Sequence, residues 1–317
     1  MKPAVVAVVL LAVACAARAG PGVKGPSAVQ RPAAEPTALS GATPTASPWG
    51  DTGEPLARAV LDSFAAPGTA AMGVDWVGPQ GVLYHVDEVL GEVYAISPAG
   101  VATYLFRMGP QIGYPLATDI GNGICHVETG RGEYLYVTDF GGHLDDPVDR
   151  VYQFELDGTL VGSWNVESVA DQVVGICFDG QSFWLQSSAR MEIVRCDTLF
   201  QTTAVFDHPM PNADSAGGLD HDPDTGLYYV SERWFGSVYV CDSGMNVVDL
   251  FVTHPTALRM AGVAVGRATR GRSLWTSSYG PVESHVDATI YEVDDVYYNE
   301  TEVEPATWGT IKATFRR

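Results

Sequence analysis

From about residue 58 onward, short apolar runs alternate with polar turns, and the runs return in a fixed order. The first run of each unit opens on a glycine followed by an aliphatic residue: Gly73-Val74, Gly123-Ile124, Gly175-Ile176, Gly218-Leu219 and Gly262-Val263. The second carries an aromatic near its start, as in Leu83-Tyr84-His85-Val86, Leu135-Tyr136-Val137, Phe183-Trp184-Leu185, Tyr228-Tyr229-Val230 and Leu274-Trp275-Thr276. The third includes Val93-Tyr94-Ala95-Ile96, Val151-Tyr152-Gln153-Phe154 and Val238-Tyr239-Val240. Runs rich in β-branched and aromatic residues, bounded by Gly, Asp and Pro, predict strands. A fourth strand follows a turn in four units, over Val101 to Phe106, Thr159 to Trp164, Thr202 to Phe206 and Met245 to Phe251. The fifth unit has none, but an orphan of the same type, Val60 to Phe64, precedes the first unit.

Four-stranded units that repeat every 45 to 50 residues, with the missing strand supplied from the N-terminal side, predict an all-β fold. It is a β-propeller of five four-stranded blades, closed by an N-terminal outer strand. A β-sandwich, or two small β domains, would alternate without a fixed four-strand phase. With the repeat in view, the chain resembles the broad group of secreted propellers that includes NHL-repeat, regucalcin-like and glutaminyl-cyclotransferase-like proteins. The resemblance covers roughly residues 58 to 295 and rests on the Gly-aliphatic openings, the Leu-Tyr-x-x-Asp second strands and the x-Val-Tyr third strands. These features build blades and carry no chemistry. Regucalcin-like lactonases begin their first blade with a Glu-Gly-Pro metal-ligand motif, where this chain has Ala71-Met72-Gly73. The Phe-Thr-Gln-Gly-Leu opening of the cyclotransferase-like enzymes is missing too, so the resemblance carries over no catalytic residue.

Composition adds an address. The chain of 317 residues is 46% hydrophobic, which excludes disorder for most of it. With a net charge of −20 and only three lysines, Lys2, Lys24 and Lys312, it does not suit nucleic acid. Lys2, an apolar run from Ala4 to Ala14 and Ala17-Arg18-Ala19 read as a signal peptide over 1–19, and hence an exported, bacterial-type protein. Cleavage after Ala19 takes the net charge to −22. A lipid anchor on Cys15 is the minor alternative. Residues 20–54 are a Pro-, Ala-, Ser- and Thr-rich linker that cannot bury enough surface to order itself. The propeller is expected over 55–295 and a C-terminal tail over 296–317; no later segment is long and apolar enough to span a bilayer.

Export permits disulfides, but Cys125 and Cys177 hold equivalent positions in successive units, as do Cys196 and Cys241. Equivalent side chains in a rotational repeat point in the same sense, not at each other, so four buried free thiols are expected. A Cys177–Cys196 bridge within one blade is the alternative.

Ligand chemistry belongs on the loops around the central channel. Asp87, Asp139 and Glu232 end second strands at matching positions, where Ser187 and Ser278 stand in the other two units. They form either an acidic ring for a cation or turn carboxylates that accept backbone N–H groups. The long Asp139–Asp149 loop offers His143 and, as candidate calcium ligands, Asp145, Asp146 and Asp149. The fourth unit adds Trp234 beside Glu232, and the loop from Ser277 to Asp287 adds Tyr279 and His285. Aromatics beside carboxylates suit a cationic or carbohydrate-like ligand. Asp220 to Gly226 looks like a calcium loop, but its spacing fits a tight turn better. The sequence therefore favours a binding or interaction module with an unidentified protein, carbohydrate or small-molecule ligand. The alternative is a metal-dependent lyase, lactonase or cyclotransferase, and calcium is the one cofactor the pattern offers.

In the tail, Trp308, Ile311 and Phe315 share a helical face and the charge turns basic at Arg316-Arg317. The ending loosely resembles the Trp-Gly-x-Ile-Lys-Ala-x-x-Arg endings of some exported bacterial proteins. It serves either to dock on the last blade or to meet a sorting partner or anionic surface. Deleting residues 306–317 separates the two: docking predicts a clear loss of melting temperature, and recognition predicts none.

Overall fold

The computed structural model describes residues 56–78, 81–114, 120–141, 148–209, 216–233, 236–253, 260–268, 271–278 and 288–294. The proposed signal peptide, linker and C-terminal tail lie outside them. Two strands precede the first complete blade, β1 (Leu56–Ala57) and β2 (Val60–Ala65). Blade 1 is β3 (Ala71–Val77), β4 (Val82–Asp87), β5 (Glu92–Ile96) and β6 (Ala102–Arg107), followed by the single helical turn α1 (Met108–Gln111). Blade 2 is β7 (Ile124–Thr129), β8 (Gly132–Asp139), β9 (Arg150–Glu155) and β10 (Leu160–Asn165). Blade 3 is β11 (Val173–Phe178), β12 (Phe183–Ser187), β13 (Glu192–Cys196) and β14 (Thr202–Asp207). Blade 4 is β15 (Ala216–Asp222), β16 (Leu227–Glu232), β17 (Ser237–Cys241) and β18 (Val247–Val252). Blade 5 takes β19 (Met260–Ala268), β20 (Gly271–Ser278) and β21 (Thr289–Asp294), with β2 as its outer strand. The fold is a five-bladed β-propeller, as the repeat predicts.

One expectation needs correcting. The repeated glycine precedes its strand only in blade 2; in the other four it lies two residues inside. There the pairing with the second strand shifts register, between Ala71 and Val74, Val173 and Gly175, Ala216 and Leu219, and Met260 and Val263. The glycines mark β-bulges on the inner strands, where backbone comes closest to backbone. A Cβ on Gly73 would stand 2.7 Å from the Ile124 nitrogen of the next blade, and one on Gly262 would stand 2.4 Å from the Met72 carbonyl oxygen of blade 1.

The core is divided into wedges, one between each pair of neighbouring blades. Tyr84, Val86 and Phe106 meet Leu135, Val137 and Phe154 between blades 1 and 2, and Tyr136 meets Phe183 and Ile176 between blades 2 and 3. Trp184 of blade 3 meets Tyr228 and Leu219 of blade 4, while Tyr229 of blade 4 meets Val263 and Leu274 of blade 5. Trp275 of blade 5 stacks on Trp76 of blade 1, with ring centres 5.6 Å apart. The aromatic of each second strand thus faces forward into the next blade, which explains why it recurs in the sequence. The cysteines obey the same geometry. All four are buried and unbridged; Cys125 packs with blade 3 residues and Cys177 with blade 4 residues.

Closure uses more than the one borrowed strand. β2 runs antiparallel to β21, with Phe64 opposite Ile290, and the Asp294 N–H donates to the Ala59 carbonyl at 2.9 Å. β1, too short to leave a sequence pattern, lies parallel to β18 on the edge of blade 4. Between them Arg58 stitches blade 4 to the strap: its guanidinium is 2.8 Å from the Asp249 carboxylate and lies over the Phe251 ring at 4.9 Å. Outer-strand aromatics elsewhere dock on the neighbouring blade's outer turn, Phe106 against Gly158 and Trp164 on Phe200. Blade 5 has no such turn because its outer strand comes from the N-terminal side, and Arg58 covers Phe251 instead. Arg58→Ala removes a half-buried ion pair and a cation–π contact worth about 1 kcal/mol together. It is expected to lower the melting temperature by about 2–4 °C in calorimetry, whereas an ordinary surface arginine would shift it hardly at all.

Candidate functional site

The second strands finish at the end of the ring where the inner strands begin: Ala71 pairs with Asp87, Val173 with Ser187, Ala216 with Glu232 and Met260 with Ser278. This face carries the long loops and is the candidate site. The axis itself is nearly filled. Five pairs, from Gly73-Val74 to Gly262-Val263, line a cavity of about 10 Å³, room for at most one water. A ligand larger than that does not fit in the axis.

Beneath those loops, side chains of the second strands satisfy backbone groups of the inner strands. The Thr138 hydroxyl accepts from the Gly123 N–H at 2.7 Å, and the Ser277 hydroxyl accepts from the Gly262 N–H at 2.7 Å while donating to the Met72 carbonyl. Ser231 does the same for Gly218 and reaches the Ala261 carbonyl. In blade 3 the Gln186 amide donates to the carbonyls of Gly217 and Gly218 at 3.0 and 3.2 Å, and its oxygen accepts from His208 Nε2 at 2.8 Å. That contact fixes the His208 tautomer with its proton on Nε2. Burial pushes the His208 imidazole down to about 4, so the ring is neutral at physiological pH.

Four sequence-predicted site residues fall among the described residues, and all four are buried. Asp87 accepts from the Thr69 and Ala70 N–H groups with one oxygen and from the Leu90 N–H with the other. It therefore ties the approach to the inner strand to the loop after β4. Ser187 occupies the same position in blade 3 and makes the same tie, to Asp171 and Arg190. Asp139 accepts from the Gly141 N–H at 3.3 Å, and Glu232 closes β16 opposite Ala216. Asp149 accepts from the Gln172 N–H at 2.8 Å; burial, and then the charges of Asp171 and Glu167, push its carboxyl up to about 6. His143, Asp145, Asp146, Trp234, Tyr279 and His285 lie outside the described residues. The Asp220–Gly226 segment is the turn the spacing suggested: the Gly226 N–H donates to the Asp222 carbonyl, and the Asp222 side chain accepts from Asp224 N–H and Thr225.

One carboxylate, Asp75, escaped the sequence reading, and a second, Asp220, was read only as the start of a turn although it lies within β15. Asp75 and Asp220 follow the Gly-aliphatic pair in blades 1 and 4, the position held by Cys125 and Cys177 in blades 2 and 3. Each reaches across an interface: Asp75 accepts from the His126 N–H of blade 2, and Asp220 from the Val265 N–H of blade 5 at 2.6 Å. Burial and these nearby carboxylates push both thiols well above their ordinary range, which makes them poor nucleophiles. In blades 2 to 5 the residue two places after the recurring second-strand aromatic was the available signal for the polar belt. Thr138, Gln186, Ser231 and Ser277 are polar within strands otherwise buried on both faces.

No protein-family model matches the chain, and no curated protein matches it. Among solved structures, the glutaminyl cyclase of Myxococcus xanthus aligns over 76% of this chain and 98% of its own, at 13% identity and a TM-score of 0.54. The chain shares the fold of this cyclase. Two others align less well: a calcium-binding regucalcin from Agrobacterium tumefaciens (13% identity, 75% of this chain and 95% of that one, TM-score 0.45) and virginiamycin B lyase from Staphylococcus aureus (14%, 73% and 68%, 0.41). Likeness at such identity is one of fold.

Asp75 gives this belt a pH signature. Burial raises its carboxyl from the ordinary 3.8 to about 7, against the hydrogen bonds from His126 and Trp76. The charged form is thus the costly one in the folded state. Its penalty is complete above about pH 7 and fades as pH falls towards 4. The melting temperature of the wild type minus that of Asp75→Asn is therefore expected to rise between about pH 8 and pH 5. A flat or falling difference would contradict the buried ionised carboxylate.

Proposed function

We propose that the protein is an exported propeller binding module that holds its ligand on the loop face. The observation that carries this reading is the division of labour at that face. The axis holds no more than a water, and Asp87, Ser187, Thr138, Gln186 and Ser277 are committed to backbone groups of the ring. Recognition then falls to the loops, with His143, Asp145 and Asp146 in one, Trp234 in another, and Tyr279 and His285 in the last. Aromatic area flanked by carboxylates recognises sugars by stacking and cations by charge. The signal-like leader supports export. Among the described residues no helix is long and apolar enough to cross a membrane.

A second reading, a calcium site in the loop from Asp139 to Asp149, is favoured by the negative field there. Asp149 stands beside Asp171 and Glu167, and Asp145 and Asp146 precede it by four and three residues. A cation would relieve that repulsion and take carboxylate oxygens as ligands. Such a cation also underlies the alternative of a metal-dependent propeller enzyme.

Two measurements test these readings separately. Screening wild type and Trp234→Ala against an oligosaccharide array and a set of quaternary-ammonium compounds is expected to find binders that the variant loses at unchanged melting temperature. Binding that survives both Trp234→Ala and Tyr279→Ala contradicts the loop-face site. In thermal melts begun in chelator, added Ca²⁺ is expected to raise the melting temperature by mass action. That rise should vanish in Asp145→Asn/Asp146→Asn. No rise with Ca²⁺ removes the calcium reading and leaves the ligand reading standing.

A further inference from the structure

A propeller leaves the outer strand of each blade with an open edge, a row of unpaired N–H and C=O groups that templates another strand. Proteins guard such edges with charge, proline or a covering segment. The five outer strands here are β2, β6, β10, β14 and β18. Four contain an ionisable residue, Asp62, Arg107, Asp207 and Asp249 respectively, and the edge of β18 is also covered by β1. β10 has the sequence Leu-Val-Gly-Ser-Trp-Asn, with neither charge nor proline, and is the last strand of its sheet. Its Val161 is 48% exposed and Leu160 36%.

We propose that β10 is a self-association edge, where two copies of the chain pair antiparallel across a two-fold axis. The occupant follows from charge. A chain of net charge −20 repels its own copies over most of its surface, so copies can approach only where charge is missing. A basic partner, by contrast, is drawn to the acidic surface and gains nothing from an uncharged strand. The two-fold axis sets β10 against itself, so no second complementary surface is required. The bulge between Leu160 and Gly162 leaves Gly162–Asn165 as the regular stretch, and the small Gly162 and Ser163 let two backbones come together. β1 on β18 is the precedent within this ring: an outer edge that has accepted an added strand. Four regular residues a side make a small interface, so the dimer is weak and transient. Salt strengthens it, because screening weakens the repulsion between the acidic bodies while the strand pairing itself carries no charge.

Sedimentation velocity of the full chain over a concentration series, in low and high NaCl, reads this directly. The expected result is a reversible monomer–dimer equilibrium that tightens with salt. Val161→Glu should weaken it at least tenfold at unchanged melting temperature, and Val248→Glu, at an exposed position on the outer strand of blade 4, should leave it intact. If Val161→Glu itself lowers the melting temperature, Ser163→Asp gives the same reading from a second exposed position on the strand. A monomer at every concentration in high salt overturns the proposal, as does a dimer that folded Val161→Glu or Ser163→Asp leaves unchanged.

Discussion

Everything in this molecule depends on how closely five inner strands meet around one axis. At Gly73, Gly123, Gly175, Gly218 and Gly262 the backbone of one blade lies against the backbone of the next, and a Cβ would stand at 3.0 Å or less from a neighbouring main-chain atom in every case. The contact runs from blade 1 to 2, 2 to 3, 3 to 4, 4 to 5, and from Gly262 back to Met72 and Val74 of blade 1. Any side chain larger than hydrogen would widen the ring and open the wedges of aromatic packing between blades. Strands so close to the axis hold N–H and C=O groups that water cannot reach, so the second strands supply Thr138, Gln186, Ser231 and Ser277 to satisfy them. Narrow axis, bulged strands and polar belt are consequences of one approach distance.

The same constraint decides where function can lie. With the axis closed, the polar residues nearest to it serve the ring: Asp87 and Ser187 tether loops, and Asp75 and Asp220 cross between blades. Chemistry directed outward must come from loops on that rigid frame, which vary in length without disturbing the packing beneath. The strap of β1 and β2 closes the ring on the outer edges of blades 4 and 5, where Arg58 replaces a turn that the borrowed strand cannot provide. In the proposed reading, stability and recognition are divided between inner and outer parts of the fold.

Much of this frame was legible in the sequence because it repeats. Gly-aliphatic pairs, forward-facing aromatics and the orphan strand from Val60 to Phe64 each recur for a geometric reason, and the borrowed strand was placed on the correct blade. The cysteines followed from rotation alone. The bulges were not legible, because a glycine that opens a strand and one that bends it look alike in a single chain. β1 was missed because two residues carry no periodicity. Asp75 and Asp220 were hidden because their partners lie in the next blade, 51 and 45 residues along. For Asp87 the sequence left both readings open, and its three backbone donors give the carboxylate its role in the ring.

The most direct test compares Gly262→Ala with Gly130→Ala by calorimetry. The first methyl would meet the Met72 carbonyl oxygen at 2.4 Å and the Val74 nitrogen at 2.8 Å, while the second would meet nothing within 4 Å. The account predicts that Gly262→Ala lowers the melting temperature by about 5–10 °C, the effect of roughly 2–3 kcal/mol of overpacking in a domain of this size. Gly130→Ala should leave it within about 1 °C, the usual scale of a surface change. Equal melting temperatures for the two variants would mean that the inner strands do not meet backbone to backbone, and the central claim would fall.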